Sequence, residues 1–195
     1  MAKKTKKAKK VSKARKSTKK PARKATAASV GGGLAASAQF LQSFINEHAT
    51  TMKVLRAFPP EQAEFRPHPR SQCARELAFT FQMEQAIIAA ALKDQLNLSG
   101  AFPKAPADFT GIIDRFDKEF HDLVALMKKT PGQDWNSTVQ FFTGPKQLGA
   151  VPKIQLAWFM LSDQIHHRGQ YTVYLRMAGG KVPSIYGPSA DEPWA

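Results

Sequence analysis

FTGIIDRFDKEFHDLVALMKK, residues 109–129, sets Phe109, Ile112, Ile113, Phe116, Phe120, Leu123 and Met127 at steps of mostly three or four, with Asp, Arg, Lys and Glu between them. On a helix of 3.6 residues per turn those side chains form one apolar stripe, and the charges face the other way. A helix divided in this manner is stable only when other elements cover its stripe, so the segment predicts a helical core. Thr130-Pro131-Gly132 ends it, because proline has no N–H to continue the ladder.

Three partners flank this helix in the sequence. In FLQSFINEHATTMKVLRAF, residues 40–58, Phe40, Phe44, Met52 and Leu55 recur at helical spacing with His48 on their stripe, until Pro59-Pro60 breaks the pattern. After the proline-punctuated RPHPRS loop, Ser71 is a suitable N-cap for SQCARELAFTFQMEQAIIAAALKDQL, whose inner face runs through Leu77, Thr80, Phe81, Glu84 and Ile88. A fourth helix begins near Pro152 and stops at Gly179-Gly180. The connection before it holds DWNSTVQFFTGPKQLG, where Val139, Phe141 and Phe142 suit a short extended piece, and the closing KVPSIYGPSADEPWA has too many turn residues for helix. Four long helices and one long crossover predict an all-α four-helix bundle over residues 34–195.

Net charge is +14 over 195 residues, but it is not spread evenly. Residues 1–31 hold 13 of the 29 basic side chains and no acid, whereas the remainder carries 16 basic against 15 acidic residues. Those 13 are Lys3, Lys4, Lys6, Lys7, Lys9, Lys10, Lys13, Arg15, Lys16, Lys19, Lys20, Arg23 and Lys24. With so little apolar surface, residues 1–33 are expected to be a disordered tail, hinged at Gly31-Gly32-Gly33. Its composition is similar to that of linker-histone and bacterial histone-like tails. Two readings fit it: sequence-blind binding of DNA or RNA by counterion release, or a merely solubilising charge. The near-neutral body lacks the electrostatic footprint of a sequence-specific DNA reader.

Cys73 is the single cysteine, which excludes an intramolecular disulfide and a CxxC motif, and packing is its expected role. No apolar run approaches a membrane span and no signal-peptide core follows the lysines, so no membrane contact is expected and a cytoplasmic location is.

Within DQIHHRGQYTVYLR, residues 163–176, Asp163, His167, Gln170 and Tyr174 stand at i, i+4, i+7 and i+11, on one helical face, with His166 about 100° away. Such a polar ladder is an exposed face, a satisfied buried network or a site. The flanking AWFML and the later Tyr, Val and Leu make exposure the weakest of these. Asp163 and His167 one turn apart suit a buried hydrogen-bonded pair or a shared divalent ion.

The block DQIHHRGQYTVYLRMAGGKVPSIYGPSADE, with PHPRSQCARELAF earlier, resembles the DinB family, the damage-inducible or YfiT-like bacterial four-helix bundles, over roughly residues 36 to 194. The resemblance implies a divalent metal such as zinc or nickel, held by three histidines that fall at positions 80, 163 and 167. Here those positions are Thr80, Asp163 and His167. Thr80 is a poor ligand, so a rearranged set of Glu84, Asp163, His167 and His48 is the candidate, with zinc, nickel or manganese as the ion. The competing roles are an ion pair with Arg168 or another base for Glu84 and a hydrogen-bonded core position for His48. Arg168 is expected to pair with Asp191 or Glu192 and dock the C-terminal segment. His166, Gln170 and Tyr174 are expected to support the site or the fold, and Gly169 to mark close packing or ligand approach. The resemblance further implies metal-assisted hydrolysis or thiol transfer, and homodimers. A non-catalytic stress-associated binding protein with a degenerate site is the alternative.

Overall fold

Asp108 opens the helix that organises the others. Its carboxylate accepts a hydrogen bond from the Gly111 backbone N–H at 2.9 Å. A Cβ at Gly111 would lie 2.0 Å from Asp108 Oδ2, so glycine is what lets this cap close. The computed structural model describes residues 30–99 and 103–194, with the side chains from residue 36 onward in the first of these. The thirteen basic residues of the tail, and the nucleic-acid contacts expected of them, lie outside the described residues.

The helices are α1 (Val30–Arg56), α2 (Ala74–Leu92), α3 (Phe109–Lys129) and α4 (Lys153–Met177). The glycine run read as a hinge falls in the first turn of α1. Ser71 does not cap α2. Cys73 does, its N–H donating to Glu76 Oε2 at 2.8 Å as half of a capping box. Between α3 and α4 stand strands β1 (Thr138–Gly144) and β2 (Gln147–Pro152), paired antiparallel with Phe141 opposite Gly149. The strictly all-α expectation is thereby corrected. The extended piece around Val139, Phe141 and Phe142 finds a partner strand and becomes a hairpin, with Phe141 buried and Phe142 turned outward as pleating requires.

α1 packs on α3 and α4, and α2 packs on the same two helices, so α1 faces α2 across the diagonal, as α3 faces α4. Two connections therefore cross the bundle, where one was expected. All seven stripe residues of α3 are buried.

The core divides into two apolar clusters. One gathers Met52, Leu55, Phe81, Phe116 and Tyr171; the other gathers Phe44, Ile88, Phe120, Trp135 and Leu161. On every helix polar residues stand between the two clusters: His48 and Thr51 on α1, Glu84 and Gln85 on α2, Asp117 on α3, and Gln164, His167 and Arg168 on α4. A layer of polar side chains thus spans the middle of the bundle. Such groups are tolerated in a core only when hydrogen-bonded or when they hold something else.

Candidate metal centre and its cleft

Part of this layer satisfies itself, while Gln85 Oε1, Gln164 Nε2 and Glu84 Oε2 are buried without a hydrogen-bond partner among the described residues. His48 Nε2 lies 3.0 Å from Asp117 Oδ1, its Nδ1 lies 3.4 Å from Gln85 Nε2, and its ring stacks on Phe120 at 3.7 Å between centroids. Both ring nitrogens are thereby engaged on the α3 side of the bundle. His48 is a hydrogen-bonded core residue, and the expectation that it joins the metal ligands is corrected. Burial holds its pKa below the usual 6.5, against the upward pull of Asp117, with His121 and Arg56 adding to the depression. The unfolded chain takes up this proton as pH falls past 6.5, while the folded chain resists until a lower pH. The unfolded state then binds more protons, so stability declines as pH falls. The urea midpoint is expected to drop between about pH 7.5 and about pH 5.5 more steeply in the wild type than in His48→Gln, and equal slopes would remove this role.

Arg168, 2% exposed, pairs with neither Asp191 nor Glu192. Its guanidinium reaches Glu47 Oε2 at 2.7 Å, the Glu47 carbonyl and Thr51 Oγ1 at 3.2 Å each, and the Tyr186 hydroxyl. Arg176, near the exit of α4, is the residue that holds Asp191, at 3.0 Å. The C-terminal segment does dock on the bundle, through Tyr186 onto Glu47 and Arg168, but by a different pairing from the one expected. Gln170 and His166 are exposed and bond to each other, Nε2 to Nε2, at 2.8 Å. Exposure, read as the weakest account of the ladder, is correct for that part of it. Tyr174 is buried and donates to the Gln72 carbonyl at 3.1 Å. A Cβ on Gly169 would meet nothing within 4 Å, so packing does not account for this glycine and nothing in the structure explains it.

Glu84, Asp163 and His167 come together, and no other group of three or more metal-ligating side chains forms among the described residues. One donor atom from each lies within 4.8 Å of the others. His167 Nδ1 is 2.7 Å from Glu84 Oε1 and 4.0 Å from Asp163 Oδ1. α2 and α4 supply the set because they share a face, and Glu84 therefore pairs with His167 instead of Arg168. The second oxygen, Glu84 Oε2, is buried with no hydrogen-bond partner among the described residues. Burial pushes the Glu84 carboxyl up to about 7, against the opposing effect of His167 and with a further upward push from the adjacent Asp163 carboxylate, and the Glu84 hydrogen bond holds the imidazole above its usual value. The two groups therefore compete for one proton near neutrality. Thr80 sits one turn before Glu84 and donates its hydroxyl to the Glu76 carbonyl at 3.2 Å. Glu84, one turn on, brings a carboxylate to the face on which Thr80 offers only a hydroxyl.

Glu84 and Asp163 lie on a cleft of about 930 Å³, bounded by α2, α4, the hairpin and residues 103–105. Its walls include Phe79, Met83 and Ile87 opposite Phe142 and Phe159. Periodicity did not reveal these walls: Phe142 and Phe159 are 46% and 56% exposed, although AWFML reads as wholly buried. Cys73 is buried and burial pushes its thiol pKa up, which suits packing and not a thiolate nucleophile.

A helical bundle with a carboxylate and imidazole cluster open to a cleft describes a class that the comparisons specify further. Residues 26–194 match the DinB family, and the chain belongs to it. A DinB-like protein from Bacillus cereus ATCC 10987 has a solved structure with TM-score 0.60 at 25% identity, covering 75% of this chain and 95% of that one. YjoA, a DinB-like protein of Bacillus subtilis, aligns with TM-score 0.59 at 15% identity over 74% of this chain and 94% of its own, which speaks to the fold alone. The uncharacterised YrdA of Bacillus subtilis strain 168 is 51% identical over 45 residues, a stretch that is 23% of this chain and 26% of YrdA. Among the described residues no helix is long and apolar enough to cross a membrane.

Proposed function

We propose that this DinB protein binds one divalent metal ion through Glu84, Asp163 and His167 and serves as a metal-dependent hydrolase or thiol transferase. The observation that carries this reading is the convergence of three donor atoms within 4.8 Å, one of whose carboxylates keeps a buried oxygen without a partner. Two carboxylates and one imidazole are hard to borderline donors, which favours manganese or zinc over softer ions. A divalent ion at such a site supplies Lewis acidity and lowers the pKa of a water or a thiol. The lone thiol, Cys73, is buried and its pKa is pushed up, which leaves water or an external thiol entering through the cleft as the attacking group in this reading. Metal content of the purified protein tests the reading, with variants whose outcomes are argued in the Discussion.

One observation favours the alternative of a binding protein with a degenerate site. His167 and Glu84 already satisfy each other at 2.7 Å, so the pair needs no ion to remain buried. Metal analysis separates the two readings directly.

The tail belongs to the same proposal as an accessory that holds the bundle on nucleic acid without sequence preference, supported by its 13 basic residues and absence of acids. With roughly six to ten phosphate contacts, affinity for duplex DNA is expected to fall by about a thousandfold or more between about 50 and 200 mM salt. Deletion of residues 1–29 is expected to abolish retention on DNA and leave metal content unchanged. Equal DNA binding by the truncated chain would transfer that role to the bundle.

A further inference from the structure

We propose that the cleft beside Glu84 and Asp163 is built for a small amphiphile: an alkyl or aryl body carrying one polar head that reaches those carboxylates. This rests on the metal-binding reading above and names the substrate class for the same site.

The size of the space is the first reason. About 930 Å³ lies at the upper end of what small-molecule sites use and far exceeds the needs of a water and a small polar solute. The distribution of chemistry along it is the second. Phe79, Met83 and Ile87 form one wall and Phe142 and Phe159 the other, so the body of any occupant meets hydrocarbon. The two phenylalanines of the outer wall remain about half exposed, and covering them removes apolar surface from water. Among the polar groups that line the cleft, Glu84 is 3% exposed and its Oε2 has no partner among the described residues.

Charge at the cleft argues against a nucleotide or another polyanion. The basic residues lining it are Arg75 and Lys104. Arg75 is already committed: Nε pairs with Glu64, and Nη1 donates to the carbonyls of Ala105 and Pro106 at 3.0 and 2.9 Å. Its work is to tether residues 105 and 106, which brings the adjoining 103–105 wall against α2. Lys104 alone, exposed at that wall, is too little for a phosphate chain. A cleft lined by a carboxylate with an unpartnered oxygen also fits a small molecule with a polar head, which can reach that oxygen.

The test is titration of acetohydroxamate and octanohydroxamate into the full chain, zinc-free and zinc-loaded, and into the double variant Phe142→Ser, Phe159→Ser. Each fully buried methylene strengthens binding roughly three- to fourfold. Octanohydroxamate is expected to bind at least about 50-fold more tightly than acetohydroxamate, with or without zinc, while zinc tightens both by a common factor. The double variant is expected to lose about tenfold in octanohydroxamate affinity and none for acetohydroxamate. Tightening by zinc with no dependence on chain length overturns the cleft proposal and leaves the ion site standing. Dependence on chain length with no response to zinc supports the cleft and removes the ion. If the double variant changes the sedimentation coefficient and leaves octanohydroxamate affinity intact, the two rings form a contact between copies and the proposal fails.

Discussion

Purified without a metal-binding tag and equilibrated with zinc or manganese, the protein is expected to retain about one equivalent of ion, and His167→Ala or Glu84→Gln to reduce this below about a tenth of an equivalent. Glu84→Gln keeps the volume of the side chain and one acceptor oxygen, so its effect isolates the loss of charge. Because even outer-shell changes at metal sites cost about ten- to a hundredfold in affinity, loss of a direct donor should cost at least about a hundredfold. Asp163, whose side chain is 37% exposed, should matter less, roughly tenfold on change to Asn. His48→Gln is the decisive control. A ring already engaged with Asp117 and Gln85 has no donor to lend, so this variant should retain its metal. Retention by Glu84→Gln and His167→Ala, or loss in His48→Gln, would contradict the site proposed here. The ion-free protein is expected to remain folded, because the 2.7 Å contact between His167 and Glu84 satisfies the pair without metal.

Arg168→Met is the second large effect. This guanidinium is almost wholly buried and supports α1 through Glu47 and Thr51 and the C-terminal segment through Tyr186, whose ring lies with its centroid 5.1 Å from the guanidinium carbon. Methionine fills similar volume but leaves the Glu47 carboxylate with only the Tyr186 hydroxyl as partner. Breaking one side of a buried ion pair costs about 3–5 kcal/mol, and the 18% exposure of Glu47 argues for the lower end. A loss of about 3 kcal/mol in a domain of this size lowers Tm by roughly 6–12 °C. Tyr186→Phe removes two hydrogen bonds and no charge, and should cost about 1–2 kcal/mol. Adding Glu47→Gln to Arg168→Met should recover part of the loss, since the stranded charge is then absent. Limited proteolysis after residue 179 is expected to quicken in Arg168→Met, as the segment loses its anchor. An Arg168→Met protein with unchanged Tm would show that Arg168 does not fasten the segment.

The legibility of each helix follows how far its inward face is apolar. α3 is the clear case: each stripe residue from Phe109 to Met127 is buried, because its inward stripe is apolar from end to end. α4 is the opposite case. Gln164 and Arg168 face the core while Trp158, Phe159, Val173 and Met177 face outward, so a rule that places apolar side chains inside misreads the helix. The physical reason is the polar layer: four helices contribute polar groups at one level, and each is comfortable inside only because the others are there. Two of its members, Gln85 and Gln164, carried no signal in their own segments.

The candidate site divides along similar lines. Asp163 and His167 are one helical turn apart, and adjacency at i and i+4 is a local fact that the chain states outright. Glu84 was within reach of reasoning because it falls on the inner stripe of the second helix. His48 met the same criterion and proved to belong elsewhere. Position on a stripe says that a side chain points inward and does not say which neighbour it meets.

From its residues alone this protein determined four helices, with boundaries to within a few residues for all but the first, which begins at Val30, well before its Phe40 stripe, together with the segregation of positive charge into the first thirty or so positions and the DinB membership carried by the block from Asp163 onward and by the entry to the second helix. Those are consequences of local periodicity, composition and short motifs. The diagonal order of the helices determined the rest: it sets Glu84 against His167 across 83 residues of chain, turns His48 toward Asp117, and leaves the cleft open between α2, α4 and the hairpin. Which inward-facing groups touch depends on how whole helices pack, and that packing is settled by all of their surfaces together and by no single segment.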